Sequence, residues 1–149
     1  MNKITFNEDT INRFRLIRTP YIGSLSYRYL IQKYKTPCMA IEAISITHNV
    51  MSVEVAINEM QSIVNDGWNL LFSSDVLYPY NMNKANGSPF LIYKGNINLL
   101  KNRCVGIVGT RIPSLHGINF CKKITQDLID KDYVIVSGRS EERRVGKEC

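Results

Sequence analysis

"CVGIVGTRIPSLHGINFCKKI", residues Cys104 to Ile124, decides the fold. It opens as an apolar run, ends that run on Gly109, exposes Arg111, and then turns amphipathic. Leu115, Ile118, Cys121, Ile124 and, further on, Leu128 recur at helical spacing and are expected to face inward. The run from Cys104 to Val108 is apolar on both faces, the mark of a parallel strand covered on both sides. "YVIVSG", ending at Gly138, reads as the next parallel strand. Strand 104–108, helix 114–131 and strand 133–137 therefore predict one βαβ unit, and the fold class is α/β.

The turn at Gly109-Thr110-Arg111 brings backbone N–H groups and the positive end of a helix dipole to one spot, where an anion is stabilised. Gly109 permits close backbone approach, and Ser114 is placed to cap the helix after Pro113. Arg111 offers a fork of donors that matches a phosphate. Nucleotide fingerprints are missing. Gly106, Gly109 and Gly117 have the wrong spacing for G-x-G-x-x-G, and the P-loop pattern is absent. No carboxylate pair or Ser-His-Asp set stands out in this half of the chain, so no catalytic residue is assigned. At this point Arg111 reads equally as an anion grip or as the partner of a carboxylate at the sheet edge.

Upstream, residues 7–66 read as helical. Asn7 is placed as an N-cap, with Glu8 and Asp9 in the first turn and Ile11, Phe14 and Ile17 behind. Pro20 and Gly23 break that helix. Ser24 is the expected cap of a second, through Tyr34, with Leu25, Leu30 and Ile31 inward. Thr36-Pro37 starts a short third helix. Ser52 opens a fourth, closed by Gly67, with Val53, Ile57, Met60 and Val64 at helical spacing. From Trp68 the period changes. "WNLLF" and "FLIYKG" read as strands, the Ser-, Asn- and Gly-rich stretch between them as a loop, and "NINLLK" as a single helical turn.

The 149 residues include 44% apolar ones, a globular composition. No apolar run reaches the ~20 residues of a membrane span, and nothing at the N-terminus resembles a secretion signal, so a cytoplasmic protein of bacterial type is the default. The cysteines Cys38, Cys104, Cys121 and Cys149 lack C-x-x-C spacing, and only His48 and His116 could join them. No metal site and no cofactor is expected; the cysteines read as reduced, buried small hydrophobes. The net charge of +6 is dispersed along the chain and fits a polyanionic partner such as nucleic acid.

The segment from Pro89 to Gly138 resembles the DprA/Smf family of DNA-processing proteins. In that family an x-P-x-L-Y-x-K/R-G segment precedes a strand ending V-G-S/T-R, a helix opened by x-x-S/T-x-x-G, and a strand ending V-S-G. The matching residues are Pro89, Tyr93, Gly95, Val108, Gly109, Thr110, Arg111, Ser114, Gly117, Ser137 and Gly138, with Tyr78-Pro79 fitting upstream. The N-terminal helices also resemble the family's leader, so the likeness runs over roughly residues 10–138. It implies a helical SAM-like domain (1–66), a truncated Rossmann-like parallel-sheet domain (67–138), binding of single-stranded DNA and a role in loading RecA. It further implies a homodimer in a full-length parent, no catalysis and no membrane partner. By resemblance, Gly109, Thr110, Arg111, Ser114 and Gly117 form the DNA pocket. The alternative is a Rossmann-like hydrolase of nucleoside 5′-monophosphates, whose P-G-G-x-G-T-x-x-E motif lies further on; a third possibility is a fragment without function. "YIGSL", Tyr21 to Leu25, resembles the hairpin of helix-hairpin-helix units, although a plain helix corner is the preferred reading.

After Gly138 the family continues with a G-L-A-x-G-I-D-type segment. This chain instead has "RSEERRVGKEC", residues 139–149, which resembles a translated sequencing adapter and offers almost nothing to bury. It reads as an artefactual tail, expected to be disordered, on a fragment. Without its four basic and three acidic residues the chain keeps 15 basic and 10 acidic, a net +5.

Overall fold

In a computed structural model, residues 5–138 are described. The chain divides into two compact units, Met1–Gly95 and Asn96–Cys149. The readings of 139–149 as an artefact and as disordered lie outside the described residues.

In the first unit the helix starts follow local cap chemistry. Helix α1 spans Glu8–Arg18, and the Asn7 side chain accepts the Thr10 N–H at 2.7 Å. Helix α3, Pro37–Ile44, begins where Thr36 accepts the Met39 N–H, with Pro37 at the position where its missing N–H costs nothing. Helix α4, Val53–Asn65, begins where Ser52 accepts the Val55 N–H. It ends in a Schellman motif. Gly67, at φ +78°, donates to the Val64 carbonyl and Trp68 to that of Ile63. Helix α2, Ser24–Tyr34, differs from expectation: Gly23 takes the N-cap position without a side-chain bond, and Ser24 is already helical.

Helix α1 divides the core of this unit. Its Leu16 packs with Tyr27, Leu30, Ala40, Ile41 and Ile44, while its Phe14 packs with Ala56, Met60, Phe72 and Phe90. Of the residues expected inward on α2, Leu30 is buried and Ile31 partly so, but Leu25 is exposed. On α4 the buried face is Ala56 and Met60; Val53 is exposed, and Ile57 and Val64 only half-buried. Spacing marks a stripe of bulky residues, but the small Ala56 is what lets other elements approach closely.

Strands β1, Asn69–Phe72, and β2, Phe90–Tyr93, pair antiparallel with Phe72 opposite Phe90. Those two rings close the second cluster, Phe90 meeting Phe14 edge-on at 5.5 Å. The loop between the strands holds an unforeseen short helix, α5, Tyr80–Lys84. Its position is fixed from α2: Arg28 donates to Asn83 Oδ1 at 2.7 Å and to the Gly87 carbonyl at 3.1 Å. Apolar periodicity could not announce α5, because it buries no residue.

The second unit opens with a 3₁₀ turn, Ile97–Lys101. Strand β3, Cys104–Ile107, helix α6, Leu115–Ile129, and strand β4, Val134–Ser137, then form the predicted βαβ unit, β3 pairing parallel with β4. Its burial is not as predicted. Cys104 and Gly106 are exposed and Val105 and Ile107 half-buried, so β3 is not covered on both sides. No residue of α6 is buried; Ile118 and Leu128 are half-covered, while Leu115, Cys121 and Ile124 are exposed. The cysteines are corrected likewise. Cys38, Cys104 and Cys121 are free thiols, but all three are exposed. Cys149 lies outside the described residues.

Candidate nucleic-acid interface

Strand β3 ends at Ile107, and the chain runs open to Ser114 before α6 begins. This segment holds Gly109, Thr110 and Arg111, all exposed, between the exposed side chains of Val108 and Ile112. Thr110 Oγ1 accepts the Ile112 N–H at 3.4 Å, which folds the turn on itself and leaves the hydroxyl proton free to donate. Ser114 is the N-cap, as its place in the sequence predicted, and its Oγ accepts the Gly117 N–H at 3.2 Å. A side chain at Gly117 would meet that same Oγ at 3.4 Å. Nothing lies within 4 Å of the place a Gly109 side chain would occupy, so a ligand can approach the backbone there.

The charge on this turn is one-sided. Among the described residues Arg111 forms no ion pair with a carboxylate. The first turn of α6 carries no acidic residue. The unit's described carboxylates, Asp127, Asp130 and Asp132, sit at or beyond the other end of α6, about 20 Å away along a helix rising 1.5 Å per residue. The helix dipole, the capped first turn and Arg111 therefore act in the same sense on an anion at the turn. The structure brings the five sequence-predicted residues into one short segment of the second unit.

Of the other motif residues, Val108 precedes the turn and Ser137 pairs with Ile107 at the end of β3, whereas Tyr78, Pro89 and Gly95 belong to the first unit. Tyr78 is buried in the first unit, where its hydroxyl donates to the Ser88 carbonyl, and the Pro89 carbonyl accepts the Ser73 N–H. Gly95 holds a left-handed φ of +99° with open space around it, a conformation that favours glycine. Within the first unit, Tyr78, Pro89 and Gly95 thus shape the backbone. No group of metal-binding side chains occurs among the described residues, and none of their helices is long and apolar enough to cross a membrane.

Two family models match this chain. One, described as DNA recombination-mediator protein A, covers residues 69–141, and the other, described as a DprA-like N-terminal HHH domain, covers residues 7–61. The chain belongs to the DprA family. Among curated relatives, this DprA-family chain is 40% identical over 65 residues to the DNA processing protein DprA of Streptococcus pneumoniae (strain ATCC BAA-255 / R6). That match takes in 43% of this chain and 23% of the relative. It is 36% identical over 74 residues to the DNA processing protein DprA of Bacillus subtilis (strain 168), 48% of this chain and 25% of the relative. The matches therefore span about a quarter of each relative's length. The first compact unit of the DprA-family chain runs past the N-terminal family match, which ends at residue 61, to take in both antiparallel strands. The description of that match names the hairpin unit to which Tyr21–Leu25 bears its likeness.

Proposed function

We propose that this chain contributes to DNA processing and recombination by binding single-stranded DNA, with Gly109, Thr110 and Arg111 holding a backbone phosphate beside Ser114 and Gly117. The observation that carries the reading is an exposed arginine, without a carboxylate partner among the described residues, on an open strand-to-helix turn whose helix begins with no acidic residue. Such a turn attracts a phosphate and carries no means of reading a base, which fits sequence-tolerant binding. Membership of the DprA family supports this reading over nucleoside 5′-monophosphate hydrolysis. On the same reading the protein is a non-catalytic cytoplasmic mediator, acting as a homodimer that passes the strand to RecA.

Arg111→Ala removes one charge-assisted contact, on the order of 1.5–3 kcal/mol. Affinity for single strands is expected to fall roughly tenfold or more, about equally for all base sequences. The slope of log K against log salt is expected to become shallower by about 0.7 per lost phosphate contact. Fluorescence-anisotropy titrations of an oligonucleotide at several salt concentrations measure both. An unchanged affinity and slope in a folded variant would overturn the assignment of Arg111.

A further inference from the structure

Three observations meet on helix α2 of the first unit. The face opposite its buried Tyr27 and Leu30 displays Leu25 and, one turn on, Tyr29, 69% and 59% exposed. In the turn just ahead, Tyr21 holds a left-handed backbone, φ +69°, with its ring 96% exposed, so the strain is not offset by any burial of that ring. Lys33 places its ammonium 5.7 Å from the Tyr29 ring centroid and 5.1 Å from that of Tyr34.

The chain leading into and through α2 carries charge of one sign. Between Asp9 and Glu42 there is no acidic residue, while Arg13, Arg15, Arg18, Arg28, Lys33 and Lys35 all fall there. Arg13 and Arg18 pair with Asp9 and Glu59, both outside that stretch. Arg28 is held by an amide and a carbonyl, neutral partners that leave its charge uncompensated. Helix α2 thus presents exposed rings and cations together, with no carboxylate of its own.

We propose that the outer face of α2 is a second surface for single-stranded nucleic acid, on which Tyr29 stacks an unpaired base while Lys33 and its neighbouring cations hold the backbone. This rests on the reading that the protein binds single strands, and it adds a contact in a different unit from Arg111. Cations and exposed rings together match a strand that offers phosphates and open base faces; a duplex hides its base faces, and an apolar protein surface would leave the cations unmatched.

The test uses the full chain, with anisotropy titrations of an oligothymidine and of an abasic oligodeoxynucleotide of the same length. Tyr29→Ala is expected to weaken oligothymidine binding roughly tenfold and to leave the abasic strand unmoved; Tyr29→Phe retains wild-type affinity for both. Lys33→Ala is expected to weaken both strands and to lower the salt slope by about 0.7. An equal loss on both strands in Tyr29→Ala, or no loss on either, overturns the proposal. A changed sedimentation mass with unchanged oligonucleotide affinity also overturns it, assigning the face to a protein contact. The two readings fail separately. Loss in Arg111→Ala without loss in Tyr29→Ala removes only the α2 surface, whereas the reverse pattern keeps α2 and removes the Arg111 assignment. A wild-type chain that binds neither strand overturns both.

Discussion

Arg13 ties an exposed carboxylate to a buried phenol. Its guanidinium donates to Asp9 at 2.6 Å and to the Tyr27 hydroxyl at 3.2 Å. Burial raises the Tyr27 pKa above its ordinary 10.0, against the opposing pull of the Arg13 hydrogen bond and charge. Folding therefore favours the neutral phenol. Because the folded pKa lies above the unfolded one, this stabilisation is complete below about pH 10 and is lost as pH rises through the folded value. Tyr78, also raised by burial, adds to the same alkaline slope. The thermal midpoint is expected to fall as pH climbs above about 10, and less steeply in Tyr27→Phe. At neutral pH that variant loses about 1 kcal/mol with the Arg13 bond. Thermal unfolding followed by circular dichroism across pH 8 to 11 (about the range that brackets the phenol) measures both effects, and identical alkaline slopes would contradict the assignment to Tyr27.

At the scale of the element, α4 and α6 start alike and are held differently. Each has a serine N-cap accepting an N–H three residues on, Ser52 from Val55 and Ser114 from Gly117. Helix α4 is then held by the buried Ala56 and Met60, whereas α6 has no buried residue and only half-covers Ile118 and Leu128. The first turn of α6 therefore depends on its cap to a greater degree. Ser114→Ala is expected to cost about 1 kcal/mol locally, raising hydrogen exchange of the Gly117 amide region roughly fivefold. Ser52→Ala should disturb the start of α4 less, because packing still fixes that helix. Hydrogen-exchange mass spectrometry of both variants makes the comparison, and equal protection at the start of α6 with and without Ser114 would refute it.

At the scale of the whole molecule, the two units differ in how much apolar surface they hide. The first encloses two clusters built around Leu16 and Phe14, with Phe14, Leu16 and Met60 wholly buried. The second leaves Leu115, Phe120, Ile124, Ile129 and Val136 exposed. Exposed apolar side chains in that number bind hydrophobic probes and favour association. The chain is expected to bind a hydrophobic dye in native buffer and to unfold in separate stages. Trp68, the single tryptophan, lies in the first unit and reports its transition, while far-ultraviolet ellipticity also registers the loss of α6. Absence of dye binding, together with coincident transitions by the two probes, would rule this out.

By itself the sequence determined what is local. Asn7, Thr36, Ser52 and Ser114 start helices because each satisfies an amide only three residues away. Gly67 ends α4 because a left-handed residue is needed there. The change of period after Val108 announced the βαβ unit, and with it the turn that displays Arg111. Tertiary structure decided what is hidden. Val53 and Ile57 carry as strong an apolar signal as any core residue, yet the elements meet on Ala56 and Met60. Leu25 and Ile124 repeat at core spacing and stay exposed. The acid-free stretch from Thr10 to Ile41 is a property of the sequence, but the exposure of the Tyr29 ring within it is set by which face of α2 the other helices cover. Caps and turns are satisfied by near neighbours along the chain. Burial requires an opposing surface, and which surface arrives is settled by shape and by residues distant in sequence.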